Sequence, residues 1–239
     1  MAELIFPSLI ETLYMVFFST IFSLIIGFPL GILLVITEKD GIWEKAVLNN
    51  ILNGIINVLR SFPFIILMIL LFPLSRIIVG STIGTKATIV PLSIAAAPFV
   101  ARVIESSLKE VDNGVIEFGL SMGASVIEII FKILIPEAMP SLILGITLTI
   151  INLIGYSAMA GAIGGGGLGD LAIRFGLYRF QTDVMVASVI IIIILVQGIQ
   201  YLGNRLAINV NKKQSDYTVK VEIMIPLVGE KKELKFVKD

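Results

Sequence analysis

An all-α membrane protein with five crossings is what the sequence predicts, and three observations predict it. The 239 residues are 56% hydrophobic and only 15% charged, against roughly 45–50% and about 25% in ordinary soluble chains, and the mean hydropathy is +0.99. Twelve of the 36 charged residues fall in the last 29 positions, leaving 24 for the first 210, so an apolar body carries a wet tail. The charges of the body are spaced to leave long uncharged windows, and a helix needs roughly 20 mainly apolar residues to cross a bilayer.

The first window, 12–37, lies between Glu11 and Glu38 and is expected to be span one. Its flanking charges, Glu3 and Glu11, are acidic, so a cleaved signal peptide with its basic leader is not expected. Between Lys45 and Arg76 only Arg60 interrupts the apolar run, which predicts one tilted or kinked span over 51–75. Residues 87–101 are charge-free but short. Arg102 and Glu105, i,i+3 neighbours able to pair on one face, extend that third span to 108. Span four is the apolar part, 142–163, of the uncharged stretch 138–169, and 184–204 supplies span five.

Five crossings place the chain ends on opposite faces. With the C-terminus inside, internal connections hold seven Lys or Arg residues (Lys39, Lys45, Lys109, Lys132, Arg205, Lys212, Lys213) and external ones four (Arg76, Lys86, Arg174, Arg179). The positive-inside rule then favours an external N-terminus and a cytoplasmic C-terminus. On that orientation 109–141 is the longest internal loop.

The absences are as informative. The chain has no Cys and no His, which removes disulfides, thiolate nucleophiles, imidazole bases and zinc or haem sites built on N or S ligands. No catalytic residue and no metal site are expected. Zero net charge without a basic cluster in the body argues against nucleic acid as a partner; the lipid bilayer is the partner that composition implies.

Within the loop, 117–132 is expected to form two short amphipathic helices around a small-residue turn. Ile116, Leu120, Val126, Ile127, Ile130 and Phe131 recur at helical spacing on one side, with Glu117, Ser121, Glu128 and Lys132 opposite. Pro136 and Pro140 are expected to stop the helix before span four. The residues alone leave two readings open: the segment lies in the headgroup layer, or it docks in a groove on a soluble protein.

Glu117-Phe118-Gly119, then Gly123, then Ile133 and Pro136 resemble the EAA loop of ABC-transporter membrane subunits, with Phe118 and Gly119 in place of two alanines. Arg60-Ser61-Phe62-Pro63-Phe64, Ile89-Val90-Pro91-Leu92, Ala95-Ala96-Ala97-Pro98-Phe99 and Gly155-Tyr156-Ser157-Ala158-Met159 with the glycines after it are similar to the permeases of bacterial methionine importers. The resemblance covers nearly all of 1–211. It implies the ABC importer permease fold, five spans per subunit, a homodimer, and methionine as substrate, as the L-isomer and by extension the D-isomer. It implies two separate ATP-binding cassette subunits, an extracytoplasmic methionine-binding protein and the bacterial inner membrane. ATP would act on the partner ATPase, with no cofactor on this chain, which is not expected to be an enzyme. Glu117, Gly119, Gly123, Ala124, Ile133 and Pro136 would couple the loop to that ATPase. There, Gly119 and Gly123 would either let the ATPase backbone approach or serve as turn residues, and Glu117 would accept a hydrogen bond or pair with a basic partner.

Other motifs carry less. Gly164 to Gly169 contains a formal G-x-G-x-x-G, but it follows a membrane helix rather than a strand. No G-x-x-x-x-G-K-[ST] occurs. Gly155, Ser157, Ala158, Ala160, Gly161 and Gly164 suit close packing of span four, as does Gly27-Phe28-Pro29-Leu30-Gly31 in span one. Met159 reads either as packing or as a flexible constriction. Polar groups in hydrocarbon are costly, so Asn57, Arg60, Asn152, Gln197 and Gln200 are expected to face the bundle or a pore. Candidate path or gate residues are therefore Met159, Tyr156, Ser157, Asn152 and Arg60; Arg60 reads either as a pore charge or as a buried pair or cap beside Pro63. The tail, 212–239, alternates apolar and polar residues over 218–225 and 233–237 around Pro226 and Gly229, the pattern of a β-hairpin, which alone is marginal in water and would dock or stay disordered. The alternatives kept beside the importer reading are an ABC permease for another amino acid or small solute, and a secondary carrier. The latter is disfavoured because no internal repeat is visible and Glu105 is the one acidic residue near a span interior.

Overall fold

In the computed structural model, which describes residues 2–224, the chain is helical throughout its ordered elements, with no strand among the described residues. In chain order the helices are α1 Ala2–Ile36, α2 Ala46–Ser61, α3 Phe64–Leu70, α4 Phe72–Val79, α5 Thr85–Leu108, α6 Asn113–Ser121, α7 Val126–Ile129, α8 Ile135–Glu137, α9 Met139–Gly161, α10 Gly167–Leu171 and α11 Thr182–Met224. Two π-helical stretches, Ile130–Leu134 and Ala172–Leu177, join α7 to α8 and follow α10.

Four helices, α1, α5, α9 and α11, are individually long and apolar enough to cross a membrane. The second expected span differs from its prediction. α2 and α3 meet at 101°, and α4 begins after Leu71 alone. Pro63 has no N–H and forces the residue before it out of the helical region; Phe62 accordingly sits at φ −72°, ψ 130°. α2 and α3 together count as a fifth crossing only if the corner lies within the bilayer. α1 starts ten residues before the expected first span, and α11 continues 20 residues past the expected fifth. Residues 218–224, the first arm of the expected hairpin, are therefore helical; the second arm lies outside the described residues.

The core is a seam between α1 and α5. Gly27 and Gly31 let the two backbones meet: a Cβ at Gly27 would sit 2.6 Å from the Ala97 carbonyl oxygen, and one at Gly31 2.7 Å from that of Ala101. The G-x-x-x-G of α1 is thus the surface on which α5 rests. Met15, Leu92, Leu153 and Ile154 are buried where α1, α5 and α9 converge. α11 packs along α9 with most of its surface exposed.

At the end of the bundle that carries the start of α1, the glycine run folds back against α9. Gly164, Gly166 and Gly167 have φ of +87°, +82° and +80°, a region that only glycine enters freely. Glu11 Oε2 accepts the Gly167 N–H at 2.7 Å, and Thr12 Oγ1 accepts the Leu168 N–H at 2.9 Å. The helix start that would receive a phosphate in a dinucleotide fold is occupied here by the chain's own carboxylate. Gly161 and Gly169 allow this return: a Cβ on either would overlap backbone atoms of the facing segment. Gly155, in contrast, faces open space, so it packs against no other segment of this chain among the described residues.

Candidate coupling and translocation site

The opposite end of the bundle carries an elbow built by α6, α7 and α8. Asp112 caps α6, its carboxylate accepting the Gly114 N–H at 2.7 Å. α6 ends in a Schellman motif: Gly123, at φ +82°, donates to Leu120 O at 2.9 Å, and Ala124 donates to Gly119 O at 3.1 Å. Gly123 is therefore a turn residue, and Ala124 packs beside the buried cluster under the elbow. Ser125 then opens α7 with a capping box, its backbone N–H donating to Glu128 Oε2 at 3.1 Å and its hydroxyl accepting from the Glu128 N–H. Lys132 pairs with Glu128 at 2.8 Å. The Lys132 hydrogen bond, then those of Ser125, hold the Glu128 carboxyl at about 2, below its ordinary 4.5. The Ser-x-x-Glu signature of this box, Ser125 to Glu128, is legible in the sequence itself.

Pro136 and Pro140 do not stop the helix, contrary to expectation. Pro136 cannot donate to the carbonyl of Lys132, and its ring crowds that carbonyl. The backbone responds by widening: Ile135 donates to Ile130 O, one residue further back than in an α-helix. Pro140 sits in the first turn of α9, where its missing N–H costs nothing. Only Ala138 separates α8 from α9, so α7, the π turn, α8 and α9 form one nearly unbroken rod from the elbow into the fourth span.

The elbow is apolar on two sides, not one. Ile129, Ile130 and Leu134 are buried against Ile36, Leu108 and Val111, with Ile116, Val126 and Ile133 beside them. Leu120, Ile127 and Phe131, expected on one side together with Ile116, Val126 and Ile130, are exposed and so lie apart from that buried set. Phe118 and Met122, one turn apart, are 66% and 73% exposed, and Ile127 and Phe131, also one turn apart, are 68% and 64%; the pairs flank the Gly123 turn. Gly119 faces inward: it is buried, and a Cβ there would lie 2.6 Å from Ile133 Cδ1. It packs α6 on the rod and is not available to an approaching partner backbone. Glu117 is exposed and borders a cavity of about 580 Å³ shared with the 38–42 segment and Lys109. Lys109 bridges Glu38 at 2.7 Å and Glu105 at 3.0 Å; partial burial lowers its pKa, but the hydrogen bonds it donates to Glu38 and Glu105 outweigh this and raise it. Glu105 also pairs with Arg102 at 2.7 Å, the i,i+3 contact expected from their spacing, and Arg102 donates to Asn57 Oδ1 at 2.8 Å.

Of the candidate path residues, the structure brings some together and separates one. Asn152, Tyr156 and Met159 recur at i, i+4 and i+7 on α9, and Asn152 and Met159 are exposed. Ser157 is buried, its hydroxyl donating to Ile154 O at 2.8 Å, so it lies off that face. Tyr156 stacks on Phe64 of α3, ring centroids 4.4 Å apart and 9° from parallel. Arg60, in the last turn of α2, shares a cavity of about 180 Å³ with Tyr156, lined also by Leu59, Phe62, Phe64, Leu67, Ala95 and Phe99. Arg60 is exposed and makes no ion pair among the described residues, so the buried-pair reading does not hold. Asn57 and Gln197 are exposed as well, and Gln200 donates to Asn204 at 2.9 Å. Among the described residues no acidic group is arranged to hold a metal.

Residues 27–213 match the model of the binding-protein-dependent transport system inner membrane component family. The chain belongs to this family. Among its relatives, the probable D-methionine transport system permease protein MetI of Vibrio cholerae is 45% identical over 212 residues, 89% of this chain and 94% of that one. The methionine import system permease protein MetP of Bacillus subtilis is 46% identical over 203 residues, 85% and 91% of the two chains. Among solved structures, an inward-facing MetNI methionine ABC transporter superposes with a TM-score of 0.86 at 43% identity, covering 88% of this chain and 97% of that one. An amino acid ABC transporter at 19% identity, with a TM-score of 0.71 over 87% of this chain and 94% of that one, shares the fold. Glu117, Gly123, Ile133 and Pro136, which resemble the EAA loop, fall within the matched range and on the elbow.

Proposed function

We propose that this chain is the membrane subunit of an ATP-driven methionine importer, working as a homodimer with two separate ATPase subunits and an extracytoplasmic binding protein. The observation that carries the reading is the rod: an elbow with exposed Phe118, Met122, Ile127 and Phe131 runs without a hinge loop into α9, which bears Tyr156 and Met159. Helix-in-groove docking uses such apolar anchors one turn apart, and a surface of this kind is otherwise a liability in water. An ATPase that closes on ATP and draws two elbows together would rotate both α9 helices, moving Met159 and, through the Phe64 stack, the corner between α2 and α3. Glu117 would meet a basic or hydrogen-bonding group on the ATPase. The elbow faces the cytoplasm, and the N-terminus of α1 faces outside. The relatives named for D-methionine support a substrate range that includes the D-isomer.

The test is uptake of labelled methionine by proteoliposomes holding this chain with its ATPase and binding protein. ATP-dependent accumulation is expected; uptake that ignores ATP overturns the reading. The native chain has no Cys, so a single Met122→Cys variant reports contact cleanly. It is expected to crosslink to the ATPase, and crosslinking to lipid alone would place the elbow in the headgroup layer instead.

A further inference from the structure

We propose that the cavity at the corner between α2 and α3 is a transit site for a zwitterionic α-amino acid, with Arg60 holding the carboxylate. The inference deepens the importer reading and rests on it.

Two arginines of the same region are treated differently. Arg102 is paired with Glu105 at 2.7 Å and with Asn57 at 2.8 Å, both through its terminal nitrogens, while its Nε is buried without a partner among the described residues. Arg60, one turn along α2 from Asn57, has no anionic partner among the described residues, although it lies in the interior of the expected second span. An ionisable side chain at membrane depth is costly and faces a partner or a wet pathway. A guanidinium presents a planar fork of donors that matches a carboxylate with two parallel hydrogen bonds.

The rest of the cavity fits the remaining parts of an amino acid. Its volume of about 180 Å³ is below the roughly 300 Å³ at which pockets begin to enclose drug-sized ligands, which limits the occupant to one small molecule. The last carbonyls of a helix have no intrahelical partner, and Pro63, which follows the end of α2, has no N–H to offer them; they are acceptors for an ammonium group. Broken membrane helices provide such ends at substrate sites. Phe64, stacked on Tyr156 at 4.4 Å, and Phe99 supply aromatic surface, which suits an apolar, polarisable side chain such as a thioether. No acidic side chain lines the cavity, so a second positive charge on the ligand would meet Arg60 without compensation. The chemistry selects a neutral amino acid over a cationic one.

The experiment is equilibrium binding of labelled methionine to the full chain purified in detergent, without binding protein or ATPase, for wild type, Arg60→Met and Arg60→Lys. Melting temperature is followed in parallel to show that each variant is folded. Arg60→Met is expected to weaken binding at least tenfold, and Arg60→Lys to recover part of the loss. Methioninamide, which lacks the carboxylate, is expected to compete poorly on wild type and to lose that disadvantage on Arg60→Met. Methionine binding that is absent from the wild type, or equal in Arg60→Met, overturns the site. ATP-dependent uptake in proteoliposomes stands or falls separately, so uptake without this binding sinks the site and leaves the importer reading intact.

Discussion

Replacing Gly119 by Ala separates two accounts of the elbow. If Gly119 packs α6 on the rod, the new Cβ would lie 2.6 Å from Ile133 Cδ1. Overpacking of this kind costs typically 1–3 kcal/mol, and because the atom it meets is the far end of a flexible side chain, about 1–2 kcal/mol is the relevant part of that range. Alanine in the interior of α6 returns about 1 kcal/mol of helix propensity over glycine. Gly119→Ala alone is therefore expected to lie between neutral and about 1 kcal/mol destabilising. Ile133→Val deletes the colliding methyl and alone costs about 0.5–1.5 kcal/mol. In the double variant the collision is gone and the helix gain remains, which gives a favourable coupling of about 1–2 kcal/mol. Amide exchange protection over 113–134 in the full chain reads this directly, each 1.4 kcal/mol being about tenfold. Additivity to within about 0.5 kcal/mol refutes the packing argument. So does a Gly119→Ala variant that loses its ATPase without any change in protection, because that result places the glycine against the partner.

Four further outcomes follow from the same geometry. Glu11→Ala is expected to cost about 1.5–3 kcal/mol, the range for a hydrogen bond to a charged group, read as a fall in melting temperature; a change below the scatter of surface substitutions would show that the Gly167 N–H contact is idle. Gly161→Ala is expected to be more damaging than Gly119→Ala, since its Cβ meets backbone of the α10 return rather than a side-chain tip, and equal losses would refute the distinction. Phe118→Ser with Phe131→Ser is expected to leave chain stability within about 0.5 kcal/mol while copurification of the ATPase falls at least tenfold; undiminished copurification would count against the docking surface. The Glu128 carboxyl sits near 2 in the fold against 4.5 unfolded, so the capping contribution is present above pH 4.5 and fades as pH falls towards 2. Exchange protection of α7, corrected for intrinsic rates, is expected to drop over that window, and Glu128→Gln to abolish the pH dependence.

What the sequence made legible follows from how far each signal reaches. Apolar windows report long apolar helices well because composition over some 20 residues is what the bilayer selects, and 87–108, which carries Arg102 and Glu105, and 142–163 fall close to α5 and α9. Pro63 announces a break, but a proline does not say how large the angle is; the corner of 101° accompanies a stack of Phe64 on Tyr156, a contact with α9 that no local signal carries. Gly119 and Gly123 look alike in the sequence, yet one is read by its φ and the other by the side chain it meets. Ser157 lies two residues from exposed Gly155 and Met159 while its hydroxyl turns to Ile154, because a helix sends successive side chains to different faces. The alternation at 218–224 mimics a strand but continues a helix that began at Thr182. The contact between Glu11 and Gly167 has no local signature at all.

That last contact joins groups 156 positions apart, and it sets an order of events during biogenesis. At about 5–20 residues per second, the ribosome adds Gly167 some 8–30 s after it adds Glu11. Throughout that interval a carboxylate at the mouth of the earliest segment lacks its mate, and the later glycines lack the anvil on which they bend. That rim is therefore a latch thrown only after α9 has been made, with α11 still to be laid against it.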